Sequence, residues 1–259
     1  MVMTKTQMRD RVEQVLHDTS NLIWTEPMVD GGMADGLREI SRYVPVLIKE
    51  TLTTTSGQRT LDVATLADVI GIADVEYKVD LHPRQLRDLS WIDLNTILVN
   101  IGFDFDGSSA YLFCRKNHRL DPDWVAGTQY SLGDMVGPTI KNAYHYECTT
   151  AGTSHTAEPT WPIIIGGTVL DPDTLEWTCR NVPSNSLSYG RYDLEDLFSR
   201  LVAARLASAL GVDKINRVNI GGKGVMRDYI GWAGVTLRDV MADLRKLRPP
   251  NQKVWRPST

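Results

Sequence analysis

The chain has 259 residues, 42% hydrophobic and 23% charged, with a formal net charge of −4. That is ordinary globular usage at a length that buries one large or two modest cores, and it excludes a collagen-like or wholly disordered chain. Three cysteines (Cys114, Cys148, Cys179) without CxxC spacing exclude a disulfide framework and the usual zinc patterns. Charges occupy the N-terminus where a secretion signal needs an apolar stretch, so a soluble chain made in cytoplasm is expected. The charge is unevenly spread. Residues 122–181 carry −5, whereas the last fifteen residues hold Arg245, Lys246, Arg248, Lys253 and Arg256 with no acid, a tail suited to an acidic partner.

Met8, Val12, Val15 and Leu16 stand at helical spacing within residues 4–18, with Thr4 or Thr6 available as N-cap. Residues 21–32, with Pro27 and Gly31-Gly32, read as a loop before a short second helix bearing Met33, Leu37 and Ile40. Pro45 stops that helix, because proline lacks the N–H the ladder needs. The β-branched run 46–55, the turn Ser56-Gly57-Gln58 and the alternating run 59–63 predict a hairpin. Further strands are predicted at 75–79, 97–103 and 110–115, the last two joined by a turn at Asp106-Gly107.

From Asp123 to Cys179 the chain is rich in Gly, Thr and aromatics and has no helical period, which predicts a separate small β-domain. Helical patterning resumes at Asp193, with Leu194, Leu197, Phe198, Leu201 and Ala204 on one face, and Gly211 as its stop. Met226, Ile230, Ala233, Leu237, Val240, Leu244 and Leu247 form a heptad stripe on a final helix. Gly231 and Gly234 inside it cost about 1 kcal/mol each against alanine and predict close approach of another backbone. Pro249-Pro250 ends the helix, and the remaining 251–259 should be extended.

Motifs of nucleophilic, phosphate-binding or zinc-peptidase chemistry are absent in their required context. Gly221-Gly222-Lys223-Gly224 reads as a hinge between two helices, an anion cradle being the other reading. No two histidines stand at i, i+4, and the paired carboxylates Asp104/Asp106 and Asp171/Asp173 flank turns, where Asp is a turn former. Neither enzyme activity, nor a metal, nor a cofactor is expected.

Two stretches carry a resemblance. Residues 36–45 (Gly-Leu-Arg-Glu-Ile-Ser-Arg-Tyr-Val-Pro), the β-region with Val75-Glu76-Tyr77 running to Asn117-His118-Arg119-Leu120, then Leu201-Val202-Ala203-Ala204-Arg205-Leu206 and Ile215 through Leu247 resemble the head-to-tail adaptor, or head-completion, proteins of tailed bacteriophages. Residues 124–136, 144–154, Glu158-Pro159-Thr160-Trp161-Pro162 and Glu176-Trp177 are similar to small chitin-type carbohydrate-binding modules. Together they imply an α+β fold: a helical-bundle adaptor core (1–121 and 182–248, with a β-region at about 45–118), an inserted all-β domain at 122–181 and an extended tail at 249–259.

The first resemblance implies a structural virion protein of the neck. It would form a homo-oligomeric ring, usually of about twelve copies, between the portal protein and a tail-side stopper or tail-completion protein, with DNA passing through the channel without sequence-specific binding. On that reading Arg248, Lys253, Val254, Trp255 and Arg256 are candidates to dock on the portal, a solvated end being the bland alternative. Met226, Ile230, Gly231, Gly234, Leu237, Val240 and Leu244 would pack against a neighbouring subunit, or equally within one chain's own bundle. Trp124, Tyr130, Trp161 and Trp177 are candidates for glycan or surface contact in the insert, though a module this small needs most of them as core. The competing functions are a polysaccharide-binding protein acting through the insert, and a helical DNA-binding regulator. The second is disfavoured by Asp193, Glu195 and Asp196 beside Arg200 and Arg205.

Overall fold

The computed structural model describes residues 2–66, 69–171, 174–188, 194–215 and 225–247. They form two units, one built from the chain up to Val44 and from His118 to the last helix, the other from Pro45–Asn117.

In the first unit, α1 (Lys5–Leu16) opens on a capping box: the Gln7 amide donates to Thr4 Oγ1 (3.1 Å) and the Thr4 amide to Gln7 Oε1 (2.9 Å). Helix α2 (Glu26–Tyr43) has Pro27 in its first turn and runs straight through Gly31-Gly32, where the sequence predicts a loop. The reason is packing. A Cβ on Gly32 would meet the Leu206 side chain at 3.0 Å, and one on Gly36 would meet Val202 Cγ2 at 2.7 Å, so these glycines let α2 lie close against the next helix.

In the second unit, β1 (Val46–Thr53), β2 (Thr60–Asp62), β3 (Val69–Glu76), β4 (Leu86–Arg87), β5 (Leu89–Trp91), β6 (Thr96–Val99) and β7 (Ser109–Lys116) make two antiparallel sheets, ordered β1-β7-β3-β4 and β2-β6-β5. The predicted hairpin between 46–55 and 59–63 does not form. β1 pairs along its whole length with β7, from Val46↔Lys116 to Thr53↔Ser109, and β2 pairs with β6. Eight residues on eight make a longer ladder than β2 offers, and alternation fixes a strand's face but not its partner. Leu61, Val75, Tyr77, Ile97, Val99, Phe105, Leu112 and Cys114 form this unit's core, where burial pushes the Cys114 thiol up to about 12. The strand predicted at 97–103 is shorter, because β6 ends at Val99, and Phe103 is exposed.

The chain then returns to the first unit and builds the insert from β8 (Gln129–Tyr130), β9 (Met135–Val136), β10 (His145–Thr150), β11 (Gly152–Thr153), β12 (Thr168–Leu170) and β13 (Glu176–Arg180). Their sheets are β12-β13-β10-β9 and the pair β11-β8. Entry and exit are stapled together by the Leu120↔Asn185 bridge and the Asp121 amide on the Ser184 carbonyl (2.8 Å). Helix α3 (Glu195–Ile215) continues past Gly211, and α4 (Val225–Leu247) follows. Asp193, the predicted cap of α3, and the 221–224 glycine run lie outside the described residues. Small side chains (Ala203, Ala204, Ala207) let α3 sit at the centre of the helical layer. There Phe198, Leu201 and Val202 meet Met8, Val12 and Leu16 of α1, Met33 and Ile40 of α2, and Val240 and Leu244 of α4.

This architecture corrects the expected fold class. The chain is not a helical-bundle core with a β decoration: the described residues form four sheets beside four helices, and two of the three hydrophobic cores are built from strands. Long helices announce themselves by period, whereas strands of two to four residues carry too few positions to show one.

Candidate functional site

The aromatic residues of the insert converge on one buried carboxylate. Asp171 accepts from Trp124 Nε1 (2.7 Å), Trp177 Nε1 (3.3 Å) and the His155 amide (2.9 Å), so both indoles are held by a single side chain. Tyr130 lies edge-on to Trp177 with ring centroids 4.9 Å apart, and its hydroxyl accepts from the Val125 amide (2.9 Å). Trp161 packs on Tyr146 at 4.2 Å and donates to Glu158 (2.7 Å). Trp124, Tyr130 and Trp177 are therefore core, with no face available to a sugar ring; of the four candidates only Trp161 is partly exposed.

What the insert does show to solvent is aliphatic. Ile163, Ile164 and Ile165 are 66%, 74% and 59% exposed, and Leu170 on β12 is 62% exposed. The isoleucines sit on a fixed turn: the Gly167 amide donates to the Ile164 carbonyl (2.8 Å), the Gly166 amide to the Cys179 carbonyl (2.9 Å), and the Tyr146 hydroxyl to the Pro162 carbonyl (2.8 Å). These residues were not among the sequence candidates, although a signal exists. Three consecutive isoleucines cannot all face inward on an alternating strand.

Helix α4 divides the predicted packing stripe between two faces. Val240 and Leu244, with Ala233, are buried in the chain's own core, and Leu237 packs against it. Ile230, Gly231 and Gly234 are on the exposed side together with Trp232 (38%) and Val235 (52%), which the heptad count passed over. Apart from the adjoining residues and backbone of α4 itself, no described atom lies within 4 Å of a Cβ built on Gly231 or Gly234. The close backbone predicted at these glycines is thus absent from the described part of the chain. Met226 falls in the first turn of α4, and Arg248, Lys253, Val254, Trp255 and Arg256 lie outside the described residues.

Other chemistry-bearing groups serve the fold. His118 is buried where the chain re-enters the first unit; its Nε2–H donates to the Val44 carbonyl (2.6 Å), and its Nδ1 accepts from Ser186 Oγ (3.0 Å). Burial lowers its pKa to about 4, which keeps the ring neutral at pH 7. Hydrogen bonds from the Ser108 side chain, the Tyr77 hydroxyl (2.7 Å) and the Ser108 amide (3.0 Å) hold the Asp106 carboxyl well below the usual range. All three thiols are free and buried. Among the described residues no three His, Cys, Asp or Glu side chains are placed to hold a metal ion, and no helix is long and apolar enough to cross a membrane.

No protein-family model matches the chain, and no curated protein matches it.

Proposed function

We propose that the chain is a structural ring subunit of a phage neck, a head-to-tail adaptor between the portal and the tail-side components. The observation that carries this reading is the outer face of α4. One 23-residue helix gives its inner stripe to the chain's own core and leaves Ile230, Trp232 and Val235 partly exposed around two glycines that, among the described residues, have no neighbour from another element. An exposed glycine in a helix interior costs about 1 kcal/mol against alanine, and the part of a tryptophan left in water gains nothing until it is covered, so the face is suited to receive a second copy. A repeated lateral contact of this kind closes into a ring when the rotation between copies is a fraction of a turn.

The alternative, glycan binding through the insert, draws less support, because Trp124, Tyr130 and Trp177 have their rings inside. The deciding test is the mass of the purified chain by light scattering, alone and mixed with the portal of the same phage. A multi-copy species that the portal captures is the expected result; a monomer that the portal ignores overturns the reading.

A further inference from the structure

The four-stranded sheet of the insert ends on β12, and among the described residues no strand lies along its outer edge. Such an edge offers unpaired N–H and C=O groups to an incoming strand. Immediately before it in the chain stands the pinned isoleucine turn, and Leu170 is exposed on β12 itself. An extended peptide laid along β12 would gain main-chain hydrogen bonds and cover apolar side chains at once.

The charge of the insert restricts the occupant. At −5 over residues 122–181, a second insert is repelled and a basic segment is attracted. This chain supplies one. The twelve residues 248–259 contain Arg248, Lys253 and Arg256, no acid, and the apolar pair Val254-Trp255. Pro249-Pro250 and Pro257 bracket Asn251–Arg256, six residues that all keep their N–H. Extended, these six reach about 20 Å, enough to cover a three-residue edge.

We infer that the Asn251–Arg256 segment of a second copy adds as a strand to β12, with Trp255 over the isoleucine turn. That the donor is a second copy rests on the ring reading. A ring propagates through two unlike surfaces, and the open edge of an acidic insert with a basic strand is such a pair.

The native thiols are buried, so an introduced cysteine reports proximity cleanly. Chains carrying Leu170→Cys and Val254→Cys are mixed and mildly oxidised, then run without reductant. The expected product is a disulfide dimer in the mixture, above the level either chain gives alone, and lost when Ile164→Asp is added to the Leu170→Cys chain. No mixed dimer overturns the contact. So does a chain carrying both cysteines that closes only on itself. Light scattering separates this from the ring reading: a chain that still assembles and is captured by the portal without the disulfide refutes only the strand addition.

Discussion

Asp171 and His118 show what single side chains contribute here. Truncating Asp171→Ala leaves two buried indole N–H groups without an acceptor, at about 1–3 kcal/mol each, in a module with one small core. Urea unfolding followed by tryptophan fluorescence should register an earlier transition of the insert; an unchanged midpoint would remove Asp171 from this role. His118 makes a pH prediction. Its folded pKa, about 4, lies below the ordinary 6.5, so the neutral form is favoured by folding. The associated stability is complete above pH 6.5 and is lost as pH falls toward 4, up to about 3 kcal/mol in all. Comparing the chain with a His118→Asn variant between pH 7 and 4 isolates this slope, and parallel curves would refute it. Neither role is written in the sequence. Trp124, Tyr130 and Trp177 read as core from their size alone, but that one aspartate pins two of them depends on residues 47 and 6 positions apart in the chain.

At the scale of elements, the glycines of α2 and α4 separate packing from exposure. Gly36→Ala would drive a methyl into Val202 and Phe198 and should cost about 1–3 kcal/mol, whereas Gly31→Ala meets nothing and should stabilise α2 by about 0.5–1 kcal/mol. Thermal unfolding of the two variants should therefore move in opposite directions. Gly234→Leu on α4 tests the assembly surface. It fits the described part of the chain, since no described atom of another element approaches within 4 Å, and should leave the unfolding temperature equal or higher while lowering the multi-copy fraction in light scattering. A variant that assembles unchanged would remove this face from the ring contact. The inner part of the stripe on α4 (Ala233, Leu237, Val240, Leu244) was legible, as were the position of α1 and the strand character of 46–53 and 109–116. The length of α2 was not, because glycine signals a loop locally and a close helix contact only when the partner is known. Nor was the β1–β7 pairing, whose partners stand some sixty residues apart and share no turn.

For the whole molecule the decisive feature is how the insert is attached. Chain entry and exit lie side by side at Leu120↔Asn185, and the Arg119 guanidinium grips Asp121 at 2.9 Å on the entering segment. The helical layer closes around that neck without using the insert's core: Asn185 donates to the Met3 carbonyl (2.7 Å) and to Glu195 (3.2 Å), tying the N-terminus to the start of α3. The insert's own core, Trp124 through Cys179, is a separate cluster. Two segments that enter and leave side by side can be rejoined by a short turn at little entropic cost. Replacing residues 123–182 with a two-residue Asn-Gly turn should thus leave the helices cooperatively folded, with the loss of ellipticity on heating near its original midpoint. If the outer face of α4 builds the ring, this shortened chain still assembles and is still captured by the portal, while its insert-to-tail disulfide disappears with β12. A shortened chain that folds but stays monomeric would move the ring contact from α4 to the insert.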